Sequence, residues 1–325
     1  MMDVTELQQL YTKLLTEFSK VIIGKEEVLK FMMIALLSSG HILLEGVPGV
    51  AKTLMAKAFA RSLSLDFKRI QFTPDMLPGD VVGTFIFNAK SQDFTLRRGP
   101  IFANVVLADE INRANPKTQS ALLEAMQERQ VTIEGYTDKL QEPFIVLATQ
   151  NPVELEGTYV LPESQLDRFM FRIIVEYPSH EEGVRILEHT LKGVDLPDIS
   201  VVGSREVIMQ AREFVSKSIH VDEDILSFVV KIIEATRQRS SDIALGGSPK
   251  AAVHLLSAAR ALAALEGRTY VIPDDVTRLV FPVLNHRIML KTKYLTEVNS
   301  LDDRFQYKTL NQLISGIVSG IEIPR

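Results

Sequence analysis

The chain has 325 residues, 46% of them hydrophobic and 24% charged, and a net charge of -5. That length is comfortable for two domains, and the composition is that of a folded rather than a disordered chain. With no cysteine there are no disulfides, thiolate nucleophiles, zinc ribbons or iron–sulfur clusters, and the acidic balance argues against binding duplex DNA through bulk charge.

Asp3 and Glu6 stand at capping-box spacing. Leu7, Leu10, Leu14 and Phe18 follow at helical intervals, so the pattern predicts a first amphipathic helix. Val21-Ile22-Ile23-Gly24 ends it, and a second helix is expected over residues 25–37. The most apolar stretch, residues 31–44, is broken by Ser38-Ser39-Gly40-His41 and is shorter than the ~20 residues of a membrane-spanning helix. The first six residues are acidic and lack the basic start of a signal peptide, so a cytoplasmic protein is expected.

Short apolar runs at residues 41–45, 67–72, 105–108, 144–148 and 171–175 read as buried strands. Helical stretches lie between them, notably 52–63 and 116–129. That alternation predicts an α/β fold with a parallel sheet covered on both faces. Beyond Pro178 the strand-like runs stop. Helices are expected at 181–191, 204–218, 222–239, 248–265, 273–286 and 310–318. The change at Tyr177-Pro178 sets an α/β domain over residues 1–178 and a helical domain over 179–325.

The segment Gly46-Val47-Pro48-Gly49-Val50-Ala51-Lys52-Thr53 lies between a predicted strand and a predicted helix. It follows the phosphate-loop pattern. Backbone N–H groups would curl into an anion nest at a helix N-terminus, Lys52 would meet the β- and γ-phosphates, and the Thr53 hydroxyl would ligate Mg²⁺. Ala51 stands where the pattern has glycine, and its methyl group is tolerable if the backbone there stays helical. A second apolar strand ends in Asp109-Glu110. Asp109 is suited to hold Mg²⁺ and Glu110 to deprotonate an attacking water. Asn151, after a third strand, reads as a γ-phosphate or water contact, or as a turn residue before proline. Arg168, in Leu161–Phe169, reads equally as a transition-state arginine supplied by a neighbouring subunit or as a surface Asp–Arg pair.

The stretches GVPGVAKT, VVLADEINRANPKTQSALLEAMQERQVTI, LATQNP and LPESQLDRF together resemble the MoxR-like AAA+ ATPases of the helix-2-insert clade, over about residues 21–287. The resemblance implies a P-loop NTPase fold: a parallel five-stranded sheet sandwiched by helices, followed by an all-α lid. It implies ATP and Mg²⁺ as cofactors and a homo-oligomeric ring, a hexamer. Gly46, Val47, Pro48, Gly49, Val50, Ala51, Lys52, Thr53 and Leu54 would cradle the nucleotide, with Ile22, Ile23 and Gly24 near the adenine. Asp109 and Glu110 match Walker B, with Thr53 and Asp109 on the metal. Asn151 matches sensor 1, and Arg168 the arginine finger that acts in trans. Lys250 matches sensor 2, acting in its own chain or in a neighbour. The family usually has arginine there, so the lysine supplies only a point charge. Arg113 is either a second interface arginine or a salt-bridged surface residue, and His286 and Arg287 are read as structural.

Residues 82–98 resemble the helix-2 insert, with a polar tip at 88–93, and residues 131–140 the hairpin before sensor 1. The function implied is ATP-driven, chaperone-like remodelling, maturation or cofactor and metal insertion of partner proteins, often ones with a von Willebrand factor A domain. The alternatives are a nucleic-acid motor like the McrB GTPase or replicative helicases, which the acidic charge disfavours, and a magnesium-chelatase-type motor subunit.

Overall fold

Helix α1 (Val4–Ser19) starts as its sequence dictates. The Asp3 carboxylate accepts from the Glu6 N–H at 2.8 Å, and the Glu6 carboxylate accepts from the Asp3 N–H at 2.9 Å. Leu7, Leu10, Tyr11, Leu14 and Phe18 form its buried stripe. Helix α2 (Glu26–Leu37) is buried almost all round from Val28 onward, as a helix without a polar face must be. The computed structural model describes residues 2–88, 90, 92–151, 157–191, 199–291 and 303–324. Part of the expected 88–93 tip, and Pro152, lie outside these.

Strand β1 (Ile42–Glu45) leads through the glycine-rich loop into α3 (Lys52–Ser62). Strand β2 (Phe67–Gln71) is followed by a short helix, α4 (Pro78–Val82), and an antiparallel hairpin, β3 (Gly83–Asn88) and β4 (Asp93–Arg98). Then come β5 (Val105–Asp109), a 3₁₀ turn (Ile111–Arg113), α5 (Pro116–Glu128) and a second hairpin, β6 (Gln130–Ile133) and β7 (Tyr136–Lys139). Strand β8 (Ile145–Gln150), the short α6 (Glu163–Leu166) and β9 (Phe171–Ile174) complete this half.

The five expected strands form one parallel sheet in the order β2-β5-β8-β1-β9. Alternate residues serve opposite faces. Ile42, Leu44, Leu107, Ile145 and Leu147 join one apolar cluster; Leu43, Ile70, Val106, Ala108, Val146 and Ala148 join the other. Both faces are covered, which is why these strands read as unbroken apolar runs.

The remainder is helical: α7 (His180–Leu191), α8 (Arg205–Ser218), α9 (Glu223–Gln238), α10 (Pro249–Leu265), α11 (Pro273–Leu284) and α12 (Asp303–Ser319). The Ser248 hydroxyl caps α10 and Pro249 occupies its first turn. One pairing was not legible. A two-stranded antiparallel ribbon joins β10 (Ile243–Leu245) to β11 (Met289–Leu290), segments too short to show an alternating pattern. The apolar cluster of α1, α2 and α3 continues into α8, α9, α10 and α11, so one core crosses the Tyr177-Pro178 junction. Among the described residues no helix is long and apolar enough to cross a membrane.

Candidate functional site

Strand β1 lies between β8 and β9, with Glu45 opposite Gln150 on one side and Ile174 on the other. The chain leaves the sheet there, at the carboxyl edge where open parallel sheets bind ligands. Gly46 has no room for a side chain, because a Cβ would lie 2.5 Å from the Val175 carbonyl oxygen. Gly49 and Ala51 are both left-handed, at φ +85° and +62°. The helical backbone expected at Ala51 is therefore not adopted. Alternation with left-handed residues is what turns successive N–H groups inward to make a nest, and at a non-glycine residue it costs about 1–2 kcal/mol. The Lys52 ammonium reaches back across the loop to the Gly46 carbonyl at 2.6 Å. Burial lowers its pKa, and the carboxylates of Asp109, Glu110 and Glu45 oppose that shift. Thr53 lies half-buried in the first turn of α3. Val50 is buried in the core, with Val47 and Leu54 packed against it; Pro48 and Gly49 are exposed.

The two carboxylates stand at the end of β5, two strands from β1. One Asp109 oxygen accepts from the Thr149 hydroxyl at 2.6 Å. The other accepts from Arg69 Nε at 3.0 Å and from its terminal nitrogen at 2.6 Å. Glu110 is left-handed at φ +58°. Its N–H donates to the Thr149 hydroxyl at 2.8 Å, and its carboxylate accepts from Gln71 at 2.8 Å and Arg113 at 3.1 Å. Arg113 thus takes one of its two expected roles, an ion pair within the chain. Arg69, Gln71 and Thr149 were not foreseen. Their signal was available: Arg69 and Gln71 are two apart on β2 and share a face, and Gln71 pairs in register with Asp109. Asn151 follows β8 directly at the same edge and is 9% exposed. Ile22 is buried. Gly24, at φ +71°, presses so closely on α7 that a Cβ would meet the Glu182 carboxylate at 1.9 Å.

Arg168 and Lys250 lie elsewhere. Arg168 donates to the Leu123 carbonyl at 2.7 Å. Its neighbour Asp167 accepts from Arg287 Nε at 2.7 Å and from the Ser248 hydroxyl at 2.9 Å. The Lys250 pKa is lowered by burial first; Asp167 raises it, and the charges of Arg287 and Arg168 lower it further. Met170, two residues on, donates to the His41 carbonyl at 2.8 Å, at the start of β1. The four residues of β1 then separate this patch from Gly46 by about 13 Å of strand. Arg168 and Lys250 are brought together, but not to Lys52, Asp109 and Glu110 of the same chain.

His286 and Arg287 are buried beneath this patch, as expected of structural residues. Arg287 donates to the Phe169 and Met170 carbonyls, and one of its nitrogens lies 2.7 Å from His254 Nδ1. Burial pushes His41 and His254 down to about 3, and His286 well below its usual value.

The two hairpins form where the pattern placed them. They touch through a Phe85–Tyr136 edge contact at 6.2 Å and an Arg98–Asp138 ion pair at 2.8 Å. Phe87 and Phe94 pair across the first hairpin with ring centroids 5.4 Å apart and planes tilted by 60°, and remain 54% and 63% exposed.

Residues 41–171 match the ATPase family associated with various cellular activities (AAA), and residues 235–305 match the AAA lid domain. The uncharacterized protein YeaC of Bacillus subtilis is 44% identical over 320 residues, covering 98% of this chain and 96% of that one. Chaperone MoxR1 of Mycobacterium tuberculosis is 45% identical, over 84% of this chain and 74% of its own. Protein MoxR of Methylorubrum extorquens is 31% identical, over 86% and 87%. A crystal structure of a candidate ATPase from Cytophaga hutchinsonii superposes with a TM-score of 0.89 at 37% identity, covering 99% of this chain and 97% of that one.

Proposed function

The chain belongs to the MoxR-like AAA+ ATPases, and from that premise we propose that it hydrolyses ATP in a hexameric ring to drive chaperone-like remodelling, maturation or cofactor and metal insertion of partner proteins. Nucleotide binding and ATPase activity come with the family. The observation that carries the chemistry is that the loop leading to Lys52 leaves β1, and the Asp109-Glu110 pair ends β5, at the same edge of the sheet with only β8 between the two strands.

The donor set suits Mg²⁺, which takes hard oxygen ligands, often one or two carboxylates, and keeps several waters. The Thr53 hydroxyl and the Asp109 carboxylate would hold it, and when bound it neutralises charge on the phosphates. The nest formed by Gly46, Val47, Pro48, Gly49, Val50 and Ala51 and the Lys52 ammonium bind the phosphates, with Leu54 supporting the loop from the core. Ile22, Ile23 and Gly24 wall the base. Glu110 takes a proton from the attacking water, which Asn151 orients. Arg168 and Lys250 serve a neighbouring protomer's nucleotide, and their separation from their own loop supports this.

Residues 1–178 act as the nucleotide-binding domain and 179–325 as the lid. That the mycobacterial relative is named a chaperone supports the remodelling role. The proposed client is a von Willebrand factor A domain protein, as the family resemblance implies, and the proposed location is the cytoplasm.

The test is ATP hydrolysis by the purified chain as its concentration is raised through the assembly range. A per-protomer rate that climbs with concentration supports the shared site. A flat rate removes the trans arginine, and no Mg²⁺-dependent hydrolysis at any concentration removes the ATPase reading. A Glu110→Gln chain, loaded with ATP and used as bait, then tests the client: recovery of a von Willebrand factor A domain protein is expected.

A further inference from the structure

The strand that feeds the phosphate loop ends in a buried carboxylate that the chemistry above does not use. Glu45 is 7% exposed. Its Oε2 accepts from Arg172 Nε of β9 at 2.6 Å, from the terminal nitrogen of the same guanidinium, and from the Tyr307 hydroxyl of α12 at 2.8 Å. The Arg172 guanidinium also lies 4.8 Å from the centre of the Tyr307 ring. That ring meets Phe281 of α11 edge-on at 6.1 Å. Asn285 donates to the Arg172 carbonyl at 3.0 Å, tying the same strand to the end of α11. A carboxylate so placed is tolerable only while charge-assisted donors hold it.

Its position gives the cluster a consequence. The next residue is Gly46, whose N–H meets the Gln150 carbonyl at 3.4 Å and whose own carbonyl takes the Lys52 ammonium. The Glu45 carbonyl accepts from the Val175 N–H at 2.7 Å, and Gly46 has no spare room against Val175. The Glu45 charge acts on Lys52. A reorientation of Glu45 is therefore passed to the first peptide of the loop and to the cation that meets the phosphates.

We propose that Tyr307 is a positioning residue for the phosphate loop: by holding Glu45 against Arg172 it makes α12 part of the nucleotide site of its own chain. This rests on the ATP-site reading above. Tyr307 then ties the helical half to the loop by a bond that nucleotide can feel, and nucleotide in turn favours the docked position of α12.

The test uses Tyr307→Phe in the full chain. That substitution keeps the ring over Arg172 and against Phe281 and removes only the hydroxyl. Binding of a fluorescent ADP is measured together with steady-state ATPase and melting without nucleotide. The expected result is an ADP dissociation constant and an ATP KM raised about fivefold, with kcat within about twofold, the scale of one hydrogen bond to a charged group felt in part at the loop. Glu45→Gln should weaken ADP binding similarly, and the double variant should be no weaker than Glu45→Gln alone. Tyr307→Phe binding ADP as the parent does overturns the proposal. So does a lowered melting temperature with unchanged ADP affinity, or a double variant whose losses multiply. If the parent itself binds no ADP, the ATP-site reading falls and this link with it; if the parent binds and Tyr307→Phe matches it, only the link falls.

Discussion

The two edges of one five-stranded sheet are built from opposite materials. At the carboxyl edge the strands end in loops with left-handed residues, a half-buried lysine and a Thr149 hydroxyl that joins the Asp109 carboxylate to the Glu110 N–H. At the amino edge, arginine and lysine side chains gather over buried neutral imidazoles, and Arg287 is neutralised by Asp167. The first edge can cradle anions and metal. The second presents cations with nothing in their own chain to act on at the first. The two sets of groups face opposite ends of the sheet, which is the arrangement the proposed ring of like copies requires.

The largest expected effects break that comparison directly. Lys52→Ala removes the cation at the centre of the nest, and binding of a fluorescent ADP should be lost. Arg168→Ala should keep ADP binding yet lower kcat by about 10³-fold. Mixing inactive Lys52→Ala chains with inactive Arg168→Ala chains should restore hydrolysis, because each supplies the edge the other lacks. Mixtures no more active than their parts would show that the edges do not meet between copies. Glu110→Gln should slow hydrolysis by about 10²–10³-fold while nucleotide stays bound, seen as ATP retained through gel filtration.

Lys250→Ala sharpens the picture at smaller scale. A point charge shared with Asp167 should be worth about tenfold in kcat or less, with ADP affinity unchanged. The last effect is on stability rather than on turnover. The unfolded chain protonates His41 and His254 near pH 6.5, whereas the folded chain does so only near pH 3. Stability should therefore be full above about pH 6.5 and fall as the pH drops below it, by up to about 1.4 kcal/mol per pH unit for each imidazole. Denaturant midpoints at pH 7.5 and 5 measure this. His254→Gln should flatten the dependence.

The sheet was legible because burial on both faces leaves a continuous apolar run, and the loop because its residue types follow from phosphate chemistry. Strand order was not, since β5 and β8 insert between β2 and β1 only through packing of the crossover helices. At Ala51 a local rule about methyl groups lost to the geometry of the nest. Arg69 and Gln71 escaped because a polar pair on an edge strand looks like an ordinary solvated face. The Glu45–Arg172–Tyr307 cluster had no local trace at all: its members are 127 and 262 residues apart from Glu45.

The paired hairpins carry a practical consequence. The two are separated in the chain by β5 and α5, yet Tyr136 stacks its edge on Phe85 and Asp138 takes Arg98. They are one appendage encoded in two places. A chimaera that transplants either hairpin alone from a relative would strand an aromatic ring and a charge on the recipient. Exchanging both together is the cut that respects the seam.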